Sequence, residues 1–595
     1  MEKLIIFFKK YNLVDLFLIF CFISILFVLS YGKVGSFLVD VGREAYLPWQ
    51  MNAGEVLYRD LFNVYGPLGY QINALLFKIF GANLNTLYCA GFFNSVLISC
   101  LIYLISKLFV DRKTALSLVG VIAVVCAFST GLFNFIFPYS YNAVYALTGL
   151  LFSLFAILLH IKNKNKHFLS LAFLFAGFSF ANKIEYLPYF LFLFVCLPFF
   201  CKKNYKDYIL PIVSFFVFPI LSFGALMLQG AGISDFTNAA KLIFKVVKAP
   251  ATEYFYTAYG LYFHPQHLLF TLHLFAKILK YTLPIVFALL LANAVCEKFV
   301  KNFVLKRIFN IAIFFSLMIF ANYALKIISN KSIVLFCWFG FVVCAILFGF
   351  LINLIVKLVK QNLSGFKISD FDLMYLFLLI SSIFVSFKGL VQVVLECYGT
   401  FSVAVMAIPL VVFLVHYVPK FHTKLNNSVF PNTIRNLCII TILVFLHLDF
   451  DVFFQKINYP IKTNNGLIFV LESQKSQQKL INFIKKHTEE NSVIVSVPEG
   501  AIINFLTQRK GHGLYYYLIP GNIQAFGEDK IVADFVQNPP DYFLVNNLGY
   551  DFYNVGNFYN YAPKITDFIE KNYNPIFYIE DDLFFVLYKK KPVVK

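Results

Sequence analysis

Long apolar runs, each bounded by short clusters of lysine and arginine, fill the first three quarters of the chain. A helix crosses about 30 Å of hydrocarbon with roughly 20 apolar residues, and on that scale about 13 spans are predicted. They cover approximately 12–31, 84–109, 114–136, 143–161, 168–181, 188–200, 209–228, 281–297, 308–327, 333–356, 371–387, 400–418 and 434–450. The fifth and sixth are short and share the polar interruption Asn182-Lys183-Ile184-Glu185. After about residue 450 the pattern changes: β-rich runs at 467–471, 492–497, 541–545 and 584–588 alternate with amphipathic stretches such as Gln477 to Lys486. That alternation predicts a small α/β domain. The expected fold is a polytopic α-helical membrane protein, with a transmembrane domain over 1–450 and a C-terminal α/β domain over 451–595.

Composition supports the same class. With 60% of residues apolar and 14% charged, too little polar surface remains to face water, so lipid must be the missing partner. The formal charge of +19 is not gathered on one stretch, as a nucleic-acid footprint would be. Lys9 and Lys10, Arg112 and Lys113, Lys162 to Lys166, Lys202 to Lys206, Lys357 and Lys360, and Lys420 and Lys424 punctuate the apolar runs instead. These are topology signals. Taking the N-terminus as cytoplasmic and the first run as a retained helix puts nearly all of them on one side. Residues 32–83, residues 229–280 and the tail then lie outside the inner (plasma) membrane. The 11 cysteines, from Cys21 to Cys438, lie in or beside apolar segments and give neither a disulfide framework nor zinc spacing. His264, His267 and His273 have no clustered carboxylate beside them, and no metal ligand is assigned.

The segment from Val39 to Gly81 is dense in groups that lipid would reject. Asp40 and Glu44 are spaced i, i+4, so a local helix places both carboxylates on one face just beyond the first span, where either could serve as a general base. Pro67 and Gly81 bracket a run with Leu68, Ile72, Leu75, Leu76 and Ile79 on one side and Gln71 and Lys78 on another. Proline near a helix start, glycine just past its end and an apolar stripe between them suit a helix lying in the membrane interface. Such a helix could wall a groove for a lipid-linked ligand.

These ordered pieces resemble the GT-C glycosyltransferases that use polyprenyl-phosphate sugars, a superfamily that includes protein O-mannosyltransferases and aminoarabinose transferases. The resemblance rests on Asp40 with Glu44, then Gly54, Tyr58-Arg59-Asp60 and Tyr65-Gly66-Pro67-Leu68, with the interfacial helix ending at Phe80-Gly81. AGFSFANKIEYLP at 176–188, FKGL at 387–390 and PEGAIINFLTQR at 498–509 extend it loosely over the chain. It implies transfer of a sugar from a polyprenyl-phosphate donor to a lipid, glycan or protein acceptor on the extracytoplasmic face, usually with inversion. Asp40 would then take the acceptor proton, with Glu44 in reserve, and Arg59, Lys183 and Lys388 would be the cations facing the leaving phosphate. No cofactor is assigned, and a divalent cation is left open. In some members a Lys or a Glu-Lys pair precedes the proline of the first loop, where this chain has Val64-Tyr65-Gly66, so the phosphate duty falls to Arg59 or Lys183.

Each residue also has a plainer reading. Asp40 and Glu44 could be solvated loop charges paired with Arg43, Lys183 and Glu185 a re-entrant turn with snorkelling side chains, Lys388 a loop cation near headgroups, and Glu499 and Arg509 surface or fold-stabilising charges of the tail. Two rival functions stay open: a lipid-linked glycan flippase or transporter, and a glycan polymerase or ligase. A transporter predicts related halves, and no inverted repeat is visible in the hydropathy.

Overall fold

The computed structural model describes residues 13–130, 134–201, 206–258, 265–300, 302–327, 339–365, 368–385, 400–421, 429–580 and 583–592. The chain is mostly helical. Among the described residues, five helices are long and apolar enough to cross a membrane: Leu13–Ser30, Leu84–Lys107, Tyr141–Asn163, Asp207–Leu228 and Val429–Lys456. Shorter apolar helices, such as Ile184–Phe200 and Val342–Lys357, stand beside them. On the first helix Phe17, Leu18, Ile25 and Val28 point away from the protein, as do Ile209, Val213, Phe216 and Ile220 on the fourth. Exposure to water costs about 25 cal/mol per Å² of apolar surface, so faces of this length require lipid, and the chain is a membrane protein.

The first half runs α1 (Leu13–Ser30), α2 (Asp40–Asn52), α3 (Leu68–Phe80), α4 (Leu84–Lys107), α5 (Arg112–Ile122), α6 (Tyr141–Asn163), α7 (Lys166–Asn182), α8 (Leu187–Phe200), α9 (Lys206–Leu228), α10 (Ile233–Lys248) and α11 (Pro250–Ala258). The helix expected between Pro67 and Gly81 forms as α3, and Gly81 takes φ 90°, a conformation that suits glycine at a helix end. Its buried face is Tyr70, Asn73, Ala74 and Phe77. Leu75, Ile79 and Phe80 turn outward instead and are exposed.

The predicted span 114–136 departs from expectation. α5 continues as a π-helical turn only to Ala127, and residues 134–140 are irregular yet buried. Apolar composition made this stretch look like membrane helix. The Asn134 side chain holds it in a turn, accepting from the Ile136 and Phe137 amides at 2.9 and 2.6 Å and donating to the Phe137 carbonyl at 3.1 Å. The helix Pro265–Phe299 also starts earlier than the span expected at 281–297, because Leu and Phe recur at helical spacing through 268–275.

In the tail, the four β-rich runs form β2 (Gly466–Val470), β3 (Ile494–Val497), β4 (Tyr542–Asn546) and β6 (Phe585–Lys590). Two further strands, β1 (Tyr459–Thr463) and β5 (Tyr573–Ile579), complete a hairpin β1-β2 and a four-stranded sheet of order β3-β4-β6-β5. Only the β3-β4 pair in that sheet is parallel. The hairpin is tied to the membrane part: Leu84 donates its amide to the Asn465 carbonyl at 2.9 Å, and Phe469 donates to Gly32 at 2.7 Å. The helix after β3, Ala501–Thr507, lies against α2 at Gly42, where an added Cβ would come within 2.5 Å of the Ile502 amide nitrogen. Tyr46 of α2 stacks on Tyr516 with centroids 5.2 Å apart and accepts from the Gly511 amide at 2.9 Å. α11 meets the tail elsewhere, its Ala251 amide donating to Gln524 at 3.0 Å.

Gly42→Val should therefore force the tail off α2. The expected cost is about 1 to 3 kcal/mol, read as a lower Tm together with faster proteolysis of the tail in intact protein.

Candidate active site

α2 opens at Asp40, which sets Asp40, Arg43 and Glu44 on successive positions of one face. The Arg43 guanidinium reaches both carboxylates, with Nη2 2.9 Å from Asp40 Oδ1 and Nε 3.2 Å from Glu44 Oε1. Glu44 is wholly buried and fully engaged. Its Oε1 also accepts from the Tyr70 hydroxyl at 2.8 Å, and its Oε2 from the Tyr141 amide at 2.8 Å. Asp40 is engaged by Arg43 and by no other donor among the described residues, and its side chain keeps 13% exposure.

Lys183 arrives from the end of α7. Its side chain turns inward at 4% exposure, donates to the Tyr139 hydroxyl and pairs with Glu185 at 3.1 Å. Tyr139 joins the two cations, since its carbonyl accepts from Arg43. Tyr65 joins them again: the Arg43 guanidinium carbon lies 5.4 Å and Lys183 Nζ 5.1 Å from its ring centroid, within cation–π range. Tyr65 is held there by close backbone approach. The Gly66 amide donates to the Asn182 carbonyl at 3.0 Å, and a Cβ on Gly66 would lie 2.1 Å from the Ala181 carbonyl oxygen. The Gly69 amide donates to Asn142 Oδ1 at 3.0 Å and fixes the start of α3 to α6.

The tail supplies the last wall. Glu499, in the turn after β3, is 2% exposed; Asn546 donates to its carbonyl at 2.6 Å and the Tyr550 hydroxyl to its Oε1 at 2.5 Å. Its Oε2 is buried with no partner among the described residues. Tyr517 covers the cluster from the same side, its ring centroid 5.8 Å from the Arg43 guanidinium carbon.

Burial sets the electrostatics. It pushes the Asp40 carboxyl above the ordinary range, against the pull of Arg43. Glu44 is raised for the same reason, although Arg43, the Tyr141 amide and Tyr70 favour its ionised form. Burial opposes the charge on Arg43, but the facing Asp40 leads a set of partners that hold its pKa above the usual value. Glu499 is pushed up to about 8, first by burial and then by the Asp40 charge. A desolvated carboxylate that must ionise beside fixed cations is suited to accepting a proton.

Asp40, Glu44 and Lys183 are thus brought into one cluster. Arg59 is not in contact with it: its guanidinium is clamped by Asp60 through bonds of 2.9 and 2.7 Å at the surface and approaches the Gln229 and Gly230 carbonyls at 3.4 Å. Lys388 lies outside the described residues. Asp40 and Glu44 are not solvated loop charges, although the pairing with Arg43 is present. Arg509 is fold-stabilising, its buried guanidinium bonded to Thr488 Oγ1, the Thr488 carbonyl and the Thr507 carbonyl at 3.0, 2.9 and 2.8 Å. Sequence reasoning missed Glu499 as a neighbour of Asp40, and Tyr139 as the bridge between the cations. The signal for Tyr139 was PYSYN at 138–142, polar and aromatic between two apolar runs. Among the described residues no three His, Cys, Asp or Glu side chains form a metal-ligand group.

Arg43→Met should strand two buried carboxylates and cost about 3 to 5 kcal/mol. Without the cation both folded-state pKa values climb further above their unfolded values. Stability is then retained below about pH 4 and lost as pH rises through the raised values. The Tm deficit against wild type should accordingly shrink on acidification.

No family model and no curated protein matches the sequence. Among solved structures, the chain is similar to the Archaeoglobus fulgidus oligosaccharyltransferase in the apo form, at 12% identity over 99% of this chain and 75% of that one, with a TM-score of 0.49. It is similar also to ArnT from Cupriavidus metallidurans bound to undecaprenyl phosphate, at 11% identity over 97% of this chain and 98% of that one, with a TM-score of 0.48. The Archaeoglobus fulgidus enzyme AglB in complex with an inhibitory peptide and a dolichol-phosphate gives 13% identity, 99% and 75% coverage, and a TM-score of 0.45. No residue role passes from these proteins to this chain, whose assignments rest on its own side chains.

Proposed function

We propose that the chain is an integral-membrane glycosyltransferase of GT-C type with about 13 spans. In this reading residues 1–450 form the membrane unit, with a cytoplasmic N-terminus, and residues 451–595 form an extracytoplasmic α/β unit at the inner (plasma) membrane. It transfers a sugar from a polyprenyl-phosphate donor to a lipid, glycan or protein acceptor. The observation that carries the reading is the convergence of a partly accessible buried carboxylate, Asp40, with the inward-turned Lys183 around Tyr65 and Tyr139.

Asp40 takes the proton of the acceptor hydroxyl as its oxygen bonds to the anomeric carbon. The bond from that carbon to the phosphate oxygen breaks and its electron pair leaves with the lipid phosphate. Lys183, already oriented, faces the charge that develops there, so little reorganisation is needed. Glu44 is wholly buried and already accepts three hydrogen bonds, which favours Asp40 as the base and leaves Glu44, the reserve candidate, to position Arg43 and the Tyr141 backbone. Arg59 and Lys388 stand as further phosphate contacts to be tested by the same assay. The outward apolar stripe of α3 offers the prenyl chain a surface beside the cluster. A guanidinium already bridges the Asp40 and Glu44 carboxylates, a donor set that does not fit a divalent cation, and no step is routed through one.

Membranes carrying the full chain should release free polyprenyl phosphate from a lipid-labelled panel of polyprenyl-phosphate sugars when an envelope extract supplies acceptor. Asp40→Asn should lower turnover by about 100-fold or more, and Lys183→Met by a similar factor. Unchanged turnover in both Asp40→Asn and Glu44→Gln rejects the assignment. Because the ionised form of Asp40 is the active one and burial raises its pKa, wild-type turnover should rise with pH, with a midpoint above about 4.

A further inference from the structure

Glu499 carries a fully buried carboxylate oxygen, Oε2, that has no partner among the described residues, whereas the Asp40 side chain, engaged through Oδ1, keeps 13% exposure. Leaving a buried polar atom unbonded costs about 1 to 3 kcal/mol, so an orphan held this firmly calls for an explanation. The residue is not loosely placed. Its carbonyl is fixed by Asn546, its Oε1 by Tyr550, and the backbone that follows it rests against Gly42 of α2. The charged and titratable groups that face it are Asp40 and Arg43 from α2, and Tyr517, Tyr550 and Tyr561 from the tail. Tyr550 fills an acceptor position, so what the carboxyl lacks is a partner for its other oxygen.

We propose that Glu499 is a proton-bearing contact of the acceptor subsite, its Oε2–H donating a hydrogen bond to an oxygen of the hydroxyl-bearing molecule that presents itself to Asp40. The proposal rests on the glycosyltransferase reading for the identity of that molecule, but the contact itself rests on the orphaned atom. Burial and the Asp40 charge push the Glu499 carboxyl up to about 8, so at neutral pH it holds a proton and is a donor. The two carboxyls stand in different surroundings: Asp40 beside Arg43, and Glu499 against Tyr550. The tail in this arrangement is a wall of the acceptor subsite, and sugar hydroxyls are the chemistry that a neutral carboxyl and a ring of tyrosines would recognise.

The test uses full-length protein in lipid nanodiscs and a short-chain alkyl glucoside as the hydroxyl-bearing probe. In infrared difference spectra the wild type should show a protonated-carboxyl stretch that fades as pH rises through about 8 and that shifts when the glucoside is added. Glu499→Gln, which keeps a donor but cannot titrate, should lack the band and still bind the glucoside. Glu499→Leu should bind it roughly tenfold more weakly, the loss of one hydrogen bond. Absence of the band, or a band unmoved by the glucoside together with wild-type affinity in Glu499→Leu, overturns the proposal. If these spectra behave as expected and no polyprenyl phosphate is released by the wild type, the glycosyltransferase reading falls and the Glu499 contact stands. If turnover is seen and Glu499→Leu matches the wild type in turnover and affinity, the Glu499 contact falls alone.

Discussion

One guanidinium between two buried carboxylates organises this protein. Asp40 and Glu44 are adjacent turns of a single helix, and two like charges withdrawn from water at that separation are tolerable only with a cation between them. Arg43 meets that demand, and the demand then spreads. Another guanidinium N–H finds an acceptor in the Tyr139 carbonyl, and Glu44 takes further donors from Tyr70 and the Tyr141 amide. These partners come from two other segments, Tyr70 from α3 and Tyr139 and Tyr141 from the stretch leading into α6. Satisfying one ion triad therefore fixes α2, α3 and the irregular stretch before α6 relative to one another.

Small residues make the convergence geometrically feasible. Gly66 lets the first polar segment touch the end of α7 backbone to backbone, and Gly42 lets the tail do the same to α2. Those two contacts bring the segments of Lys183 and Glu499 to the Asp40–Arg43 pair, with Tyr65 against both cations and Tyr517 against the guanidinium. Tyrosine suits this position because its ring packs and attracts cations while its hydroxyl still satisfies buried polar groups.

Arg59 and Lys183 illustrate how the same charge meets different fates. Arg59 is followed at once by Asp60, whose carboxylate captures the guanidinium locally through two parallel bonds, so it stays at the surface. Lys183 sits where α7 ends and the chain makes a single 3₁₀ turn before α8, and that break allows the side chain to point back into the protein. A charge at a helix break is costly in lipid and stable only where protein receives it.

The sequence by itself determined the membrane class, the helix α3, a helix carrying Asp40 and Glu44, and four of the six described strands of the tail, because each follows from local periodicity and from end signals such as Pro67 and Gly81. It did not determine β1 and β5, whose burial does not alternate cleanly, or the irregular turn at 134–140, where apolar composition hid a bend set by one asparagine side chain. The pairing of Arg43 with its two neighbours was legible because it is nearly local. That Lys183 and Glu499 share the surroundings of Asp40 was decided by tertiary structure alone, since they lie about 140 and 460 residues from it along the chain and are brought there by glycine contacts and aromatic packing, for which no local pattern exists.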